Sequence, residues 1–405
     1  MNILIINQPT NNRGDEAAHR SLLRALVNYN KFNSLTVLFI GEDAKGINEI
    51  KVQNDKIQYI NIPLHRGFYR IARFALRFNI EYLLSIFHPQ VRKVKKHISK
   101  ADIVLNAPGG ICMGLFQNWK HILWLRLAQK AGKRIAYYSR SFGPFPESTN
   151  YNKVFKKVSL NLLKYFQFLS IRDLKTMKLA SDLNLEYISS IDTAFLDEPK
   201  VDIPYNIKDS IGSDDYIVLV PNSLTWHPAY RTANQTLIEN FYIAIINFLL
   251  IKYSSSKIVL LPQLFNRGPN GDMEYFNNLK EKSQSQRVIV LSDEYSSDIQ
   301  QKIISKSKFV IGARYHSVVF AINNGIPFVA LSYEHKIAGL LTILNLGNSM
   351  VDISDLGKSE FDINIYISSI EIILDQKQNI KDAKLKANSI AQDCFKSLIL
   401  FFEHD

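Results

Sequence analysis

Along the chain, short runs of β-branched and apolar residues alternate with longer stretches in which apolar positions recur every three or four residues. The first pattern predicts buried strands and the second amphipathic helices, so their alternation predicts a parallel sheet wrapped by helices. Strand candidates in the first half are Asn2–Asn7, Leu35–Ile40, Ile57–Ile62, Asp102–Asn106, Arg134–Ser139, Phe168–Arg172 and Tyr187–Asp192. Pro199, Pro204 and Gly212 then punctuate a polar stretch, which predicts a linker at 198–215. A second series follows at Tyr216–Val220, Lys257–Leu261, Arg287–Leu291, Phe309–Gly312 and Phe328–Ser332. The expectation is an α/β chain of two Rossmann-like, doubly wound domains, 1–197 and 216–378. They would face a cleft lined by the carboxyl ends of their strands, where open α/β sheets bind ligands. Residues 379–405 have helical spacing and are expected to cross back onto the first domain.

Composition narrows the class. A length of 405 residues suits two domains, and 46% hydrophobic with 21% charged residues is a globular balance. Cys112 and Cys394 lie far apart without a Cys-x-x-Cys partner, so neither a disulfide framework nor a zinc knuckle is written here. No metal site is expected, and no cofactor. The N-terminal apolar run is of strand length and lacks the features of a signal peptide, and no apolar stretch is long enough to span a bilayer. A cytoplasmic location is expected.

The net charge of +12 is unevenly placed. Residues 66–100 hold nine lysines and arginines against one acid, Glu81. Arg66, Arg70, Arg73 and Arg77 share one face of a predicted helix over 66–87, beside an apolar stripe of Ile71, Phe74, Phe78 and Tyr82. Two readings are open: a basic amphipathic helix for an anionic membrane surface, or a solvated helix packed on its own domain through that stripe. Nucleic acid is disfavoured, because no recognised motif accompanies the charge.

Candidate chemistry gathers at predicted strand ends. Phe309–Gly312 leads to Arg314, Tyr315 and His316 just as a helix begins. A guanidinium fork, a helix N-terminus and an imidazole together suit a small anion. Downstream, Gly325-Ile326-Pro327 restarts a strand, and Glu334-His335-Lys336 places Lys336 at the next strand end. The loop Asn11–Glu16 offers Asn12, Gly14 and Asp15 to a ligand, with Asp15 as a plain helix cap the other reading. Gly109 and Gly110 permit close backbone approach. Arg140, Arg172 and Asp192 also end strands. Each has a structural alternative: a surface charge for Arg140, a pair with Asp173 for Arg172, and loop amides for Asp192. Trp226 would stack on a sugar ring or pack a domain.

In this order, these residues resemble the polysaccharide pyruvyl transferase family. The most specific stretch is Gly312–Leu340, GARYHSVVFAINNGIPFVALSYEHKIAGL, supported by NNRGDEAA, APGG, SFGPF, SIRDLKT and DTAF. The resemblance implies a glycosyltransferase-B-like pair of Rossmann domains that moves pyruvate from phosphoenolpyruvate onto two sugar hydroxyls as a ketal. By motif it assigns phosphoenolpyruvate to Arg314, Tyr315, His316, Arg172 and Lys336. His316 would serve as the acid or assist phosphate leaving and Asp15 as base, and Asn12, Gly14, Asp15, Gly109, Gly110, Arg140, Asp192 and Trp226 fall on acceptor or structural loops. It further implies a surface-glycan acceptor carried on a lipid, so that residues 66–100 would touch the inner face of the cell membrane. The glycine loop has two glycines where the family usually has three, and Ser139-Arg140 stands where Gly-Gln is usual; both changes bear on the acceptor. Two alternatives stay open. One is a nucleotide-sugar glycosyltransferase of the same architecture, with Glu334 the candidate for its ribose; the other is a non-catalytic glycan-binding relative.

Overall fold

The computed structural model describes residues 1–8, 12–41, 51–65, 67–212, 214–225, 227–230, 232–265, 271–358 and 361–404, without the side chains of 111, 112 and 228. Contacts divide the chain into two units. Unit 1 is Met1–Thr10, Ala18–Leu196 and Ser389–Asp405; unit 2 is Asn11–Ala17 and Asp197–Asn388.

Unit 1 contains β1 (Asn2–Ile6), β2 (Ser34–Gly41), β3 (Ile57–Pro63), β4 (Ile103–Asn106), β5 (Gly109–Met113), β6 (Arg134–Tyr137), β7 (Arg140–Phe142), β8 (Phe168–Ile171) and β9 (Ile188–Ser189). Seven of them form a parallel sheet in the order β3-β2-β1-β4-β6-β8-β9, and β5 pairs with β7. Its helices are α1 (Arg13–Tyr29), whose first turn is grouped with unit 2, α2 (Phe68–Phe78), α3 (Glu81–Phe87), α4 (Pro89–Lys100), α5 (Trp119–Lys130), α6 (Asn150–Tyr165) and α7 (Leu174–Asp182). The central strands are nearly pure apolar runs because a parallel sheet is covered on both faces. Leu4, Ile6 and Val104 enter the core on one side; Ile3, Ile5 and Ile103 enter the core on the other.

Unit 2 repeats the plan with β10 (Tyr216–Val220), β11 (Lys257–Leu260), β12 (Val288–Val290), β13 (Val310–Gly312), β14 (Phe328–Ser332) and β15 (Met350–Asp352). All pairings are parallel, in the order β12-β11-β10-β13-β14-β15. Its helices are α8 (Tyr205–Ile211), α9 (Gln235–Lys252), α10 (Asp272–Ser283), α11 (Ser297–Ile304), α12 (Tyr315–Asn323), α13 (His335–Ile343), α14 (Ile363–Asp375) and α15 (Ile380–Glu403). From Ser389 onward α15 is grouped with unit 1, where Cys394, Leu398 and Phe402 pack with Ile3, Leu35 and Val37, as its helical spacing led one to expect.

All twelve expected strands are present. β5, β7 and β15 were not anticipated, being too short or too glycine-rich to show a period. The expected linker carries α8, whose ends are the residues read as loop punctuation: Pro204 caps its start and Gly212 its end. The single helix expected over 66–87 is instead two, because Asn79 adopts a left-handed conformation (φ 56°) between α2 and α3.

In both sheets the first strand is flanked on one side by the second and on the other by a later one. β1 lies between β2 and β4, and β10 between β11 and β13. These are the switch points at which doubly wound sheets leave a crevice at their carboxyl ends.

Candidate functional site

At the unit 2 switch point, Asn222 follows β10 and Arg314 follows β13. Arg314 is the N-cap residue of α12, in extended conformation (φ −103°, ψ 134°), and its carbonyl accepts from Ser317 Oγ at 2.5 Å. Its side chain is largely covered, with 13% exposed. One terminal nitrogen is ion-paired with Asp272, while Nε is buried with no partner among the described residues. Asp272 does not rest on the arginine alone, since its second oxygen accepts from the Gln263 and Leu264 amides at 2.9 Å each. The fork therefore keeps an edge for another acceptor beside a rigid carboxylate.

His316, in the first turn of α12, is buried and packs edge-on to Tyr315 with centroids 5.0 Å apart. Its ring lies directly against the backbone of Gly14. A β-carbon on Gly14 would fall 1.8 Å from His316 Nδ1, so no other residue fits at 14. The Asn11–Glu16 loop was counted with the first domain from its sequence position, but it is grouped with unit 2. Asn12 forms an antiparallel bridge with Leu264, and the Arg13 amide donates to the Gln263 carbonyl at 3.0 Å. Asn12 is also the residue that caps α1, its Oδ1 accepting from the Gly14 amide at 2.9 Å and the Asp15 amide at 3.4 Å. The helix starts at Arg13, four residues before the expected Ala17, and this corrects the reading of Asp15 as the cap: Asp15 lies within the first turn, next to the glycine that carries His316.

Arg13 and Glu16, which no local sequence pattern singles out, anchor this loop. Arg13 is almost fully buried, donating through Nε to the Tyr295 carbonyl at 2.7 Å and through Nη1 to Glu16 at 3.0 Å, with Phe265 under its guanidinium at 4.7 Å. Glu16 accepts in turn from the Ser297 amide (2.9 Å) and hydroxyl (3.0 Å). A buried pair with so many partners holds the loop against unit 2. In sequence it reads as an ordinary charged helix start.

Lys336 lies in the first turn of α13 after β14, with its Nζ 3.4 Å from the Glu334 carboxylate. Glu334, the ribose candidate, also lies 3.8 Å from His227 Nε2. Burial lowers the His227 pKa and Lys336 adds to this, while Glu334 opposes both. Behind them Tyr230 donates to the Tyr333 and Ser354 carbonyls at 3.2 Å, and burial pushes its phenol up to about 12. It stays neutral. Trp226 and Arg66 lie outside the described residues.

Unit 1 presents a different set at its own switch point. Arg140 is not the surface charge that was one alternative for it. It is buried and donates to the Ala107 (2.6 Å), Gly110 (2.9 Å) and Asn7 (3.3 Å) carbonyls, tying the ends of β1 and β4 to β5. Arg172 is buried and ion-paired with Asp192 rather than with Asp173; Asp173 instead caps α7, accepting from the Thr176 amide. Asp192 also accepts from the Ala194 amide at 3.0 Å, the loop-amide role considered for it. Gly109 pairs with Arg140 across β5 and β7, and no described residue lies within 4 Å of a β-carbon built on Gly110.

Beside Arg140 lies a polar cluster that the sequence did not suggest. Asn7, left-handed at φ 66°, donates to Asn106 Oδ1 at 2.8 Å and to the His121 carbonyl at 3.3 Å. Asn7 Oδ1, Gln8 Oε1, Asn106 Nδ2 and His121 Nδ1 are buried and have no partner among the described residues. Four such groups at one strand edge are unusual unless water or a ligand satisfies them. Burial lowers the His121 pKa well below its ordinary value, helped by Arg140 and Lys120. Only the residues after two strand ends could have signalled this cluster.

With this geometry established, the chain can be compared with known proteins. The polysaccharide pyruvyl transferase description matches residues 12–335, well over half the chain. The chain belongs to the polysaccharide pyruvyl transferase family. The match opens on Asn12, includes Arg314 and His316, and stops one residue short of Lys336. Among curated relatives, the amylovoran biosynthesis protein AmsJ of Erwinia amylovora is 23% identical over 316 residues, 74% of each chain.

Two solved structures share the fold at low identity. The UDP-GlcNAc 2-epimerase of Methanocaldococcus jannaschii has a TM-score of 0.60 at 13% identity, covering 99% of this chain and 100% of that one. A putative UDP-N-acetylglucosamine 2-epimerase from Listeria monocytogenes scores 0.61 at 11%, covering 100% and 97%. They establish a glycosyltransferase-B type of fold and nothing about substrate. Family membership supports a pyruvyl transferase role in polysaccharide biosynthesis. Among the described residues no helix is long and apolar enough to cross a membrane, and no cluster of His, Cys, Asp and Glu could hold a metal.

Proposed function

We propose that the chain transfers pyruvate from phosphoenolpyruvate to two hydroxyls of a sugar, closing a ketal and releasing phosphate, on a surface-glycan intermediate carried by a lipid. The observation behind this reading is the strand-end pair of Arg314 and His316. The arginine keeps an unpartnered Nε edge at the positive end of α12, and the imidazole rests on Gly14 beside Asp15. Arg314 would hold a carboxylate or phosphate oxygen through that edge, and Lys336 a second oxygen in exchange for Glu334. Tyr315 would flank the donor. Arg172 has a buried carboxylate partner in unit 1, and this supports a positioning role for it more than direct contact with the donor.

In the reaction the methylene carbon of phosphoenolpyruvate takes a proton, for which His316 is the acid, and the C2 centre becomes electrophilic. One sugar hydroxyl adds to C2, phosphate leaves, and the second hydroxyl closes the ring. Of the two hydroxyl protons, one balances the new methyl group and the other leaves with phosphate; Asp15 is the base for a hydroxyl. No cofactor enters this balance. For the sugar, Asn7 Oδ1, Gln8 Oε1 and Asn106 Nδ2 of unit 1, each without a partner among the described residues, offer two acceptors and a donor of the kind hydroxyls need, beside the Gly110 backbone.

The test is phosphate release from phosphoenolpyruvate with simple and lipid-linked galactosides. Turnover by the wild type that collapses in Arg314→Ala and His316→Ala is expected. Full activity in both variants would sink the assignment, and thermal stabilisation by nucleotide sugars instead of phosphoenolpyruvate would point to the glycosyltransferase alternative.

A further inference from the structure

The outer face of α2 and α3 in unit 1 is apolar and basic, and no described residue covers it. α2 turns Phe68, Ala72, Ala75 and Leu76 into the core and leaves Arg70, Phe74, Arg77 and Phe78 facing outward. The Phe74 and Phe78 rings are each more than half exposed and touch, with centroids 4.7 Å apart. α3 adds Tyr82, Leu83, Ile86 and Phe87, the last 77% exposed. Of the expected apolar stripe, Ile71 is half-buried while Phe74, Phe78 and Tyr82 stand exposed. The helix therefore packs on its own domain through Phe68, Ala72, Ala75 and Leu76 and not through these rings. Large apolar side chains massed on two adjoining helices mark an interaction surface.

Charge identifies the partner. Lys95 lies over the Tyr82 ring at 4.0 Å, and Arg77 over the Phe78 ring at 5.3 Å, so cations rim the aromatics. Glu81, the segment's one acid, is turned inward and neutralised by Arg126 at 3.0 Å and Lys130 at 3.2 Å. The described residues from 67 to 100 thus expose no carboxylate. A second copy of this face would bring like charges together and lose its attraction. A sheet of lipid phosphates over acyl chains satisfies both features at once.

We propose that this face docks on an anionic bilayer, with Phe74, Phe78, Leu83, Ile86 and Phe87 entering the boundary between headgroups and acyl chains and Arg70 and Arg77 on lipid phosphates. The lipid-carried acceptor of the preceding reading would then be met at the surface where the enzyme rests, but the docking is tested apart from that reading. Purified protein is sedimented with phosphatidylcholine vesicles with and without phosphatidylglycerol. Binding only to the anionic vesicles at low salt, weakened by added salt but not abolished, is the expected result. Arg70→Glu with Arg77→Glu should lower partitioning at least tenfold, since each surface cation contributes about fivefold. Phe74→Ser with Phe78→Ser and Phe87→Ser should remove the salt-resistant fraction. Both variants alter exposed side chains, so both should keep wild-type phosphate release on a soluble sugar.

Wild-type protein that ignores anionic vesicles at low salt would overturn the docking, as would variants that bind like wild type. A wild-type dimer that the serine variant converts to monomer would reassign the face to a contact between copies. None of these outcomes touches the donor chemistry, which the soluble assay reads separately.

Discussion

Both units carry arginines at strand ends, Arg314 in unit 2 and Arg140 and Arg172 in unit 1, and these differ in what their donors already hold. In unit 2, Arg314 gives one nitrogen to Asp272 and leaves Nε without a partner. In unit 1, Arg140 gives Nε and Nη1 to three main-chain carbonyls, and Arg172 is ion-paired with Asp192. A strand-end position brings a charge to the crevice, but the partners decide whether that charge is available. A guanidinium whose Nε and Nη1 are held by backbone oxygens is a rivet, whereas one with an unpartnered Nε beside a fixed carboxylate has a donor left for an anion.

The sharpest way to break this contrast is to remove each arginine and ask which property falls. Arg314→Ala should lower kcat/KM for phosphoenolpyruvate by about a thousandfold, roughly 4 kcal/mol, the scale of losing a charge-assisted contact at a reacting anion. Its melting temperature should fall modestly, since Asp272 loses an ion-pair partner but keeps its two amide donors. Arg140→Met should do the reverse. Three buried carbonyls would lose their donor, at about 3 kcal/mol of stability in all, while the protein that remains folded keeps its affinity for the donor. Steady-state kinetics and denaturant titration on the two variants decide it. Equal losses of both properties in both would erase the distinction.

The same comparison shows why some of this was legible in sequence and some was not. The strands were legible because a parallel sheet buried on both faces demands unbroken runs such as Tyr216–Val220. Arg314 and His316 were legible because a strand, two small residues and a helix start fix where they emerge. The Asn11–Glu16 loop was not. It follows the first strand in the chain, yet Arg13 and Glu16 bond to residues near 263 and 295, and no local pattern reports a partnership across so many residues. Asp272 was hidden for the same reason. Asn79 was missed because asparagine breaks a helix only when the backbone turns left-handed, which periodicity does not reveal.

Histidines extend the contrast to acidity. Unit 1 buries His19 completely, neither ring nitrogen having a partner among the described residues, and burial holds its pKa down to about 3 with help from Arg20. The folded imidazole is neutral, while the unfolded one takes a proton near 6.5. Its depressed pKa makes its contribution fully present above pH 6.5 and lost as pH falls toward the folded value. At pH 5 the loss attributable to His19 is about 2 kcal/mol. Chemical denaturation at pH 7.5 and pH 5 should show that loss in the wild type and a flatter profile in His19→Leu. If the units unfold separately, the loss belongs to the unit 1 transition, and its appearance in unit 2 would contradict the assignment.

The smallest expected effect tests whether the unit 1 edge is only a rivet. Asn106 accepts from Asn7 through Oδ1, but its buried Nδ2 has no partner among the described residues, an arrangement that costs stability unless something supplies an acceptor. If a sugar hydroxyl is that acceptor, Asn106→Ala should raise KM for the sugar about tenfold, near 1.4 kcal/mol, and leave KM for phosphoenolpyruvate unchanged. If the amide only braces Asn7, the variant should lose stability with both KM values intact. The second result would confine substrate recognition to unit 2 and make the unit 1 edge scaffold throughout; the first would give each sheet its own reactant, with Arg140 holding in place the loop that reads the sugar.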